Sequence, residues 1–506
     1  MKKRILAFFL CALIVVSTVL TFVSCGGKDD KKQNGEKYDE VPWLDNLGDH
    51  DLGGYTVKFA VSEAGEDTYG FNERSIVADA DTGDKVDAKI HLRNEAIKAR
   101  FNCGIELKYV THNPLSADIA HALMGQSSEY DVIAGRQYDD VAMCVEGYFV
   151  NVLTDSRVNK YISIGREYWG KEYTKDMSYG KNVYWLAGDL NLRYTGGFYG
   201  VFVNSTLYDT KLKDEYGDIH DVVRNNKWTV GLMKDMSDKV TNISTANPNK
   251  GNITESDILG VAAPIHDNTN GWAVSCGVTF SKLTKSGNIK LTFKTNYQRL
   301  KDFYDAYLAL VSTKGCISYG GVYLDAFQVF KADRALFVPG RINQAELYLR
   351  DMVNDYYIIP NPMLNEEQAK DIGYRSSLHD AISIYAINDD SENIEATAIV
   401  LEAMAAESYR SVRAEYYDNA LKNKYTTSPD TAEMIEIINA GAYSDFALVW
   451  CLTPYFPSMG AILRSYLNGK KADISEGLLY VQSGWQISLD ELKDKFDKLA
   501  EIKNAK

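Results

Sequence analysis

The amino-acid sequence predicts an α/β protein built as two lobes. Strand and helix patterns alternate over residues 54–141 and again, with different lengths, over 181–359. The chain has 506 residues, and at about 150 residues per domain that length leaves room for two or three cores. Strands alternating with helices are the order of a parallel sheet covered on its faces.

The first strand is Gly54-Tyr-Thr-Val-Lys-Phe-Ala-Val61, which alternates enough to bury one face. A helix is predicted over 85–101, because Val86, Ile90, Ile97 and Phe101 fall on one side of it. A strand at 105–110, a short helix at 116–124 and the apolar strand Tyr130-Asp-Val-Ile-Ala134 follow. That strand ends at Gly135, and another helix runs through Val141. In the second run, 181–187 and 198–204 read as strands, 228–240 as a helix, 335–338 as a short buried strand and 344–352 as a helix. Ile358-Ile359 leads into Pro360-Asn-Pro362, which stops a strand because proline has no N–H to give the ladder. A long helix spans 394–417, with Ala398, Leu401, Ala405 and Tyr409 as its buried stripe and Glu395 and Glu402 off it. The stretch 489–502 is a short charged helix. With no internal repeat of about 20–50 residues, solenoids and propellers are excluded.

The N-terminus sets the compartment. Lys2, Lys3 and Arg4 precede an almost wholly apolar run at 5–23, and Val23-Ser24-Cys25 then meets Gly26-Gly27 and a polar stretch. A positive start, an apolar segment and small residues at the boundary describe an export signal. Cys25 looks like the lipidated cysteine of a bacterial lipobox, although Phe22 stands where Leu is usual. The other reading is an uncleaved membrane anchor, since about 19 apolar residues nearly span a bilayer. Either places the bulk of the chain outside the cytoplasmic membrane. On the lipoprotein reading, 1–24 is a signal peptide and 25–50 a flexible tether from lipidated Cys25. Loss of its three positive charges takes the formal net charge from -14 to -17.

Composition and motifs exclude several classes. The acidic balance argues against a nucleic-acid surface, which needs clustered Lys and Arg. The remaining cysteines (Cys103, Cys144, Cys276, Cys316, Cys451) show no CxxC spacing and read as small buried hydrophobes with at most an incidental disulfide. The seven His are dispersed, so no metal site and no cofactor are expected. Gly165-Arg-Glu-Tyr-Trp-Gly170-Lys171-Glu172 nearly satisfies a phosphate loop, but Glu172 replaces the Mg²⁺-holding hydroxyl and Tyr168 and Trp169 would crowd it. Asp79-Ala-Asp81-Thr-Gly83-Asp84 hints at a calcium loop, yet the twelfth position is Ile90, and a solvated turn before the helix explains it better. Tyrosine is in excess, 34 against 18 Phe and 7 Trp, which hints at an aromatic recognition surface.

Open α/β sheets bind ligands at the carboxyl ends of their strands. The loops there carry Ser62 and Glu63; Arg136, Tyr138 and Asp139; Asp189, Asn191, Arg193 and Tyr194; and Arg341 and Asn343. Each is equally readable as an ordinary solvated loop. An Arg fork with flanking Tyr and Asp is nevertheless suited to orienting a hydroxyl-rich ligand.

Six segments carry a resemblance by their number and order: DTGDKVDAKIHLRNEAIKARFN (81–102), YDVIAGRQYDDVAMCVEGYFVNVLTD (130–155), NVYWLAGDLNL (182–192), VFVNSTLYD (201–209), NNKWTVGLMKDMSDKVT (225–241) and DYYIIPNPMLNEEQ (355–368). With the lipobox and tether, the chain resembles the extracellular solute-binding lipoproteins of ABC importers, the large group typified by sugar binders. The resemblance implies a two-lobed, type II periplasmic-binding-protein-like fold with a hinge. Lobe 1 would take 51–190 and about 372–410, and lobe 2 about 191–371 and 411–506. It implies a monomeric, non-enzymatic protein on the outer face of the bacterial cell membrane, delivering a small polar solute, foremost a carbohydrate, to permease subunits. Ligand contacts implied are Arg136, Tyr138, Asp139 and Asp189, to which the strand-end loops add Glu63, Asn191 and Arg341. The last stands where the family often has an aromatic platform, so Trp272 and Trp450 become alternative platforms, each equally readable as core. A peptide or anion binder, an exported glycan-acting enzyme and an adhesin are the other readings.

Overall fold

The strand that opens the fold, Thr56–Ser62 (β1), buries Val57, Phe59, Ala60 and Val61 completely, so both of its faces are covered. The structure is a computed structural model that describes residues 43–62, 71–110, 115–137, 141–292, 294–320, 323–378, 382–417, 429–450, 463–466, 469 and 473–505. The signal, Cys25 and most of the tether lie outside these residues, as do Glu63, Tyr138, Asp139 and Cys451.

After β1 come helices Phe71–Ile76 (α1) and Lys85–Phe101 (α2), then strand Gly104–Val110 (β2), helix Leu115–Met124 (α3) and strand Val132–Arg136 (β3). α2 has the predicted bounds. The Asp84 carboxylate accepts from Val86 N at its start, and Asn102 adopts a left-handed backbone (φ 49°) at its end. β1 lies parallel to β2 from Thr56↔Gly104 to Ser62↔Val110, and parallel to β3 at Phe59↔Val132.

Helices Lys171–Met177 (α4) and Leu192–Gly196 (α5) precede a second sheet. Its elements in chain order are strand Tyr199–Asn204 (β4), helix Val230–Val240 (α6), strand Leu259–Ala263 (β5), helix Tyr297–Val311 (α7), strand Cys316–Ser318 (β6), helix Tyr323–Lys331 (α8), strand Ala335–Arg341 (β7), helix Gln344–Tyr348 (α9) and strand Tyr356–Pro360 (β8). The strand order is β8-β4-β7-β5-β6, with β4 antiparallel to both neighbours and β5 parallel to both of its own. Pro360 is the last residue of β8, as its missing N–H requires.

The chain then returns. Strand Ser383–Ile387 (β9) joins the first sheet antiparallel to β3, giving the order β9-β3-β1-β2. Helix Ile394–Glu407 (α10) packs on β1, β9 and α2. It continues through a π-helical turn, Ser408–Val412, into Arg413–Tyr416 (α11). Helices Pro429–Ala440 (α12), packed on β8, and Ser475–Ala505 (α13) complete the described elements used below.

Several sequence expectations change. Residues 181–187 form only isolated bridges, including Leu186↔Tyr385. The run straddles two hydrophobic cores, Tyr184, Trp185 and Ala187 in one and Leu186 in the other, so side-chain packing replaces a ladder. The segment at Val141 is a 3-10 turn, Val141–Val145. The helix after β7 stops at Tyr348, and the long helix predicted over 394–417 is broken by the π turn. The charged segment 489–502 is the end of a longer helix, α13. Cys103 and Cys276 are free thiols. No helix of the described residues is long and apolar enough to cross a membrane.

Glu402 of α10 is fully buried and accepts from Tyr168 OH at 2.5 Å, Trp169 Nε1 at 2.6 Å and Ser163 N at 3.1 Å. Burial pushes its carboxyl above the ordinary glutamate value, and the three donors pull it back. Glu402→Ala strands those donors and should cost about 3 kcal/mol in denaturant unfolding, with Glu402→Gln, which keeps an acceptor, losing less. Equal stability of the Ala variant and the parent would show that water replaces the carboxylate.

Candidate functional site

Two of the chain passages between the sheets, 189–198 and 409–417, face each other across a cavity of about 200 Å³. Residues 167–172 and 439–442 close its sides. The first passage follows from local backbone demands. A Cβ at position 188 would meet Tyr168 O at 2.0 Å, so only Gly188 lets the two backbones approach and Asp189 N donate to Tyr168 O at 2.9 Å. Asn191 caps α5 by accepting from Tyr194 N at 3.0 Å, and its amide donates to Tyr385 OH at 3.3 Å. This turn carries Thr195 and Tyr194 to the cavity. Gly170, at φ 54°, is the opposite wall, where a Cβ would strike the Tyr194 hydroxyl.

The second passage supplies the cation. Arg413 Nη1 donates to Asp189 Oδ2 at 3.3 Å, and Thr195 Oγ1 to Asp189 Oδ1 at 3.3 Å. The Arg413 guanidinium lies over Tyr409 at 4.8 Å and Tyr417 at 5.5 Å from the ring centroids. Tyr417 OH donates to Thr195 O at 3.1 Å and meets Asn439. A π-helical turn of this kind marks functional sites in many helices, and here it lies between Glu407 and Arg413, with Tyr409 inside it.

Asp189 is 4% exposed, and burial pushes its carboxyl up to about 6 while Arg413 and Thr195 pull it down. Both of its side-chain contacts are long, so the carboxylate is held weakly for a buried charge. At the rim, Lys171 faces Glu167 at 3.6 Å and Lys175 faces Glu172 at 2.9 Å. The lining therefore offers a carboxylate acceptor, guanidinium, ammonium and amide donors, tyrosine rings and the apolar face of Phe198. Among the described lining residues there is no His, Cys or Ser. No group of three or more His, Cys, Asp or Glu among the described residues is placed to hold a metal ion.

Of the residues singled out in the sequence, Asp189, together with Tyr194, lines this cavity. Asn191 is fully buried with both ends of its amide engaged as above. Arg136 ends β3, half-buried, opposite Ser383. Arg341 ends β7, 4% exposed, with its guanidinium over the Tyr323 ring at 5.2 Å. Trp272 is 1% exposed and packs on Tyr307 at 4.7 Å. Trp450 is fully buried between Trp185 and Phe496. Glu63, Tyr138 and Asp139 fall outside the described residues. Sequence reasoning missed Arg413, Tyr417 and Asn439. Arg413 had a visible signal, since it lies four residues beyond Tyr409 on the stripe assigned to the core, where a charge is out of place. The near-phosphate loop instead contributes Gly170, Lys171 and Glu172 to the wall, with Tyr168 and Trp169 buried under Glu402.

No protein-family model and no curated protein matches the chain. Solved structures do match. A sugar transporter from Rhizobium etli, in an open conformation, is similar at TM-score 0.54 and 14% identity, covering 86% of this chain and 99% of that one. UspC from M. tuberculosis gives 0.53 and 14%, over 86% and 100%. A cyclo/maltodextrin-binding protein complexed with maltotetraose gives 0.52 and 10%, over 88% and 96%. At these identities the likeness speaks to the fold: this chain has the two-lobed α/β fold of type II periplasmic binding proteins.

Asp189 makes stability depend on pH. Its folded pKa lies above the ordinary aspartate value of 3.8, so its favourable contribution is complete below about pH 4 and is lost as pH rises through about 6. A rise of that size corresponds to roughly 3 kcal/mol. Asp189→Asn should therefore gain stability over the parent by up to that amount between pH 4 and 7 in urea unfolding. Parallel stability curves would show that Asp189 is hydrated and titrates normally.

Proposed function

We propose that the protein is a solute-binding protein, tethered through lipidated Cys25 to the outer face of the cell membrane, that captures a small carbohydrate and passes it to the permease of an ABC importer. The observation that carries the reading is the cavity between the passages joining the two sheets, with a weakly held buried carboxylate and a tyrosine-flanked guanidinium on facing walls. Hydroxyl groups both donate and accept, so a sugar can bond Asp189 and Arg413 at once while its ring lies on tyrosine. The carbohydrate assignment is supported by the neighbours, one of which holds maltotetraose. On this reading the protein binds and releases its solute unchanged.

The lobes proposed are 51–190 with about 372–410, and about 191–371 with 411–506. The strands are consistent with that division, since the four-stranded sheet draws on 56–136 and 383–387 and the five-stranded sheet on 199–360. Solute contacts from both sides favour closure only by their differential affinity for the closed state. The lipid and tether keep a monomeric binder close to its permease, which raises its effective concentration. Arg136 and Arg341, at the carboxyl ends of β3 and β7, belong to the proposed solute surface, as do Glu63, Tyr138 and Asp139. Asn191 and Trp272 are then supporting residues behind it.

A thermal-shift screen of sugars, peptides and anions tests this. A cognate sugar at about 100 times its Kd should add about 2.7 kcal/mol of stability. No shift with any sugar would overturn the reading, and turnover of a glycan would replace it with an enzyme. Asp189→Ala and Arg413→Ala should each weaken sugar binding about tenfold or more, the value of a charge-assisted hydrogen bond, and Arg136→Ala should weaken it without unfolding. Calorimetric titration checks all three. Lower melting temperature at unchanged affinity would show that these residues are structural.

A further inference from the structure

Asp84, the last acid of the run 79–84 that the solute site leaves unabsorbed, is paired in the fold with a guanidinium. Arg74 of α1 pairs with Asp84 at 3.0 Å and with Asp87, whose other oxygen accepts from Thr82 Oγ1 at 2.8 Å. Both carboxylates sit at the start of α2, where the helix dipole also favours negative charge. α1 packs on β1 and α2, so this cluster belongs to the four-stranded sheet. Arg74 has a further partner elsewhere. Its Nη1 donates to Glu346 Oε1 at 3.1 Å, and Glu346 lies in α9, which packs on β7 and α8 of the five-stranded sheet. Arg350, beyond α9, donates to Glu346 at 2.6 Å and reaches Asp84 at 3.8 Å. Two ion pairs therefore cross between the sheets, Arg74–Glu346 and Arg350–Asp84.

An apolar cluster accompanies them. Val86 and Ile90 of α2, Leu192, Val412 and Tyr416 pack together with Leu347 of α9. Glu346 is 9% exposed at its side chain and Arg74 21%, so the central pair is shielded from salt more than a surface bridge. None of Arg74, Asp84, Asp87, Glu346 and Arg350 lines the solute cavity.

We propose that Arg74 and Glu346 form a latch between the lobes that stabilises the arrangement of the lobes in this structure over others, and so tunes solute affinity without touching the solute. The contacts are made only when the α2 and α9 ends meet, so they stabilise one arrangement of the lobes over the other. Apparent affinity scales with the fraction of protein in the binding-competent state. For partly exposed ion pairs in a network, the ratio of this arrangement to the others should fall about two- to tenfold when the crossing pair is removed. The consequence for affinity rests on the solute-binding reading, but the latch itself is measurable without solute.

The test uses the full chain with one spin label on each sheet-bearing lobe and reads the inter-lobe distance distribution, without solute, in the parent, Arg74→Gln, Glu346→Gln and the double variant. The fraction at the inter-lobe distance of this structure should drop in each single variant, and the double should lose less than the sum of the singles, because the crossing pair is lost in all three. High salt should reduce that fraction in the parent more than in the variants. Arg350→Gln, at an exposed residue, gives a second single variant that should shift the same way if Arg74→Gln fails to fold. Unchanged distance distributions in the folded variants, or additive effects in the double, would overturn the latch. Failure of every sugar to bind, with the distances shifting as expected, would instead overturn the solute reading and leave the latch standing.

Discussion

The first sheet cannot be finished by its own stretch of sequence. β3 has an open edge after β1 pairs its other side, and backbone N–H and C=O groups on a buried edge need partners. β9 supplies them along Ser383–Ile387, more than 240 residues downstream of β3. The chain must therefore leave the first sheet, build the second, return, and leave again through α11. Leu186 pairs with Tyr385 and Phe198 with Leu378, so the outgoing and returning passages lie side by side. Residues 182–205 are buried without interruption as a result. The cavity exists because two of these passages are held apart by the side chains of Tyr194, Tyr409 and Arg413 rather than packed backbone to backbone.

Burial on that scale constrains every polar group in the passage. Asn191 is satisfied at both ends, and Thr195 donates to Asp189. Asp189 is different, since a fully desolvated carboxylate ordinarily needs close partners and this one has two at 3.3 Å. Tyrosine solves the same problem elsewhere. Tyr168 reaches Glu402, Tyr173 reaches Gln137, and Tyr417 reaches Thr195 O, each ring filling core while its hydroxyl crosses to another segment. The tyrosine excess thus serves the junctions between segments as much as any wet surface.

What could be read in the sequence follows the range of the forces involved. α2 was legible to the residue because its apolar spacing, its Asp84 cap and its Asn102 terminus are all local. Residues 181–187 misled because burial on both sides produces the same apolar run whether or not a ladder forms. β9 was invisible as a partner of β3, since nothing in Ser383–Ile387 specifies which edge it meets. The site divides the same way. Asp189 was found from its place after an apolar run, whereas its partner Arg413 arrives through the tertiary fold, from 224 residues away. The acids of 79–84 read as a turn before a helix, but the counter-ion of Asp84, Arg74, could not be named from spacing alone.

The geometry of one short helix joins the proposed solute cavity and the proposed latch. Arg413 and Tyr417 turn towards Asp189 and Thr195, while Val412 and Tyr416 turn towards Val86, Ile90 and Leu192 beneath the Arg74 cluster. The π-helical turn before them sets the rotation that makes both faces available at once. Gly196 fits between the Tyr416 hydroxyl and Asn343, a contact any larger residue would break. On the proposed reading, a solute that pulls Arg413 carries Tyr416 with it, because both lie on the same four-residue helix. The cavity and the ion-pair cluster therefore bear on one short helix, through which the proposed solute site and the proposed latch would be coupled.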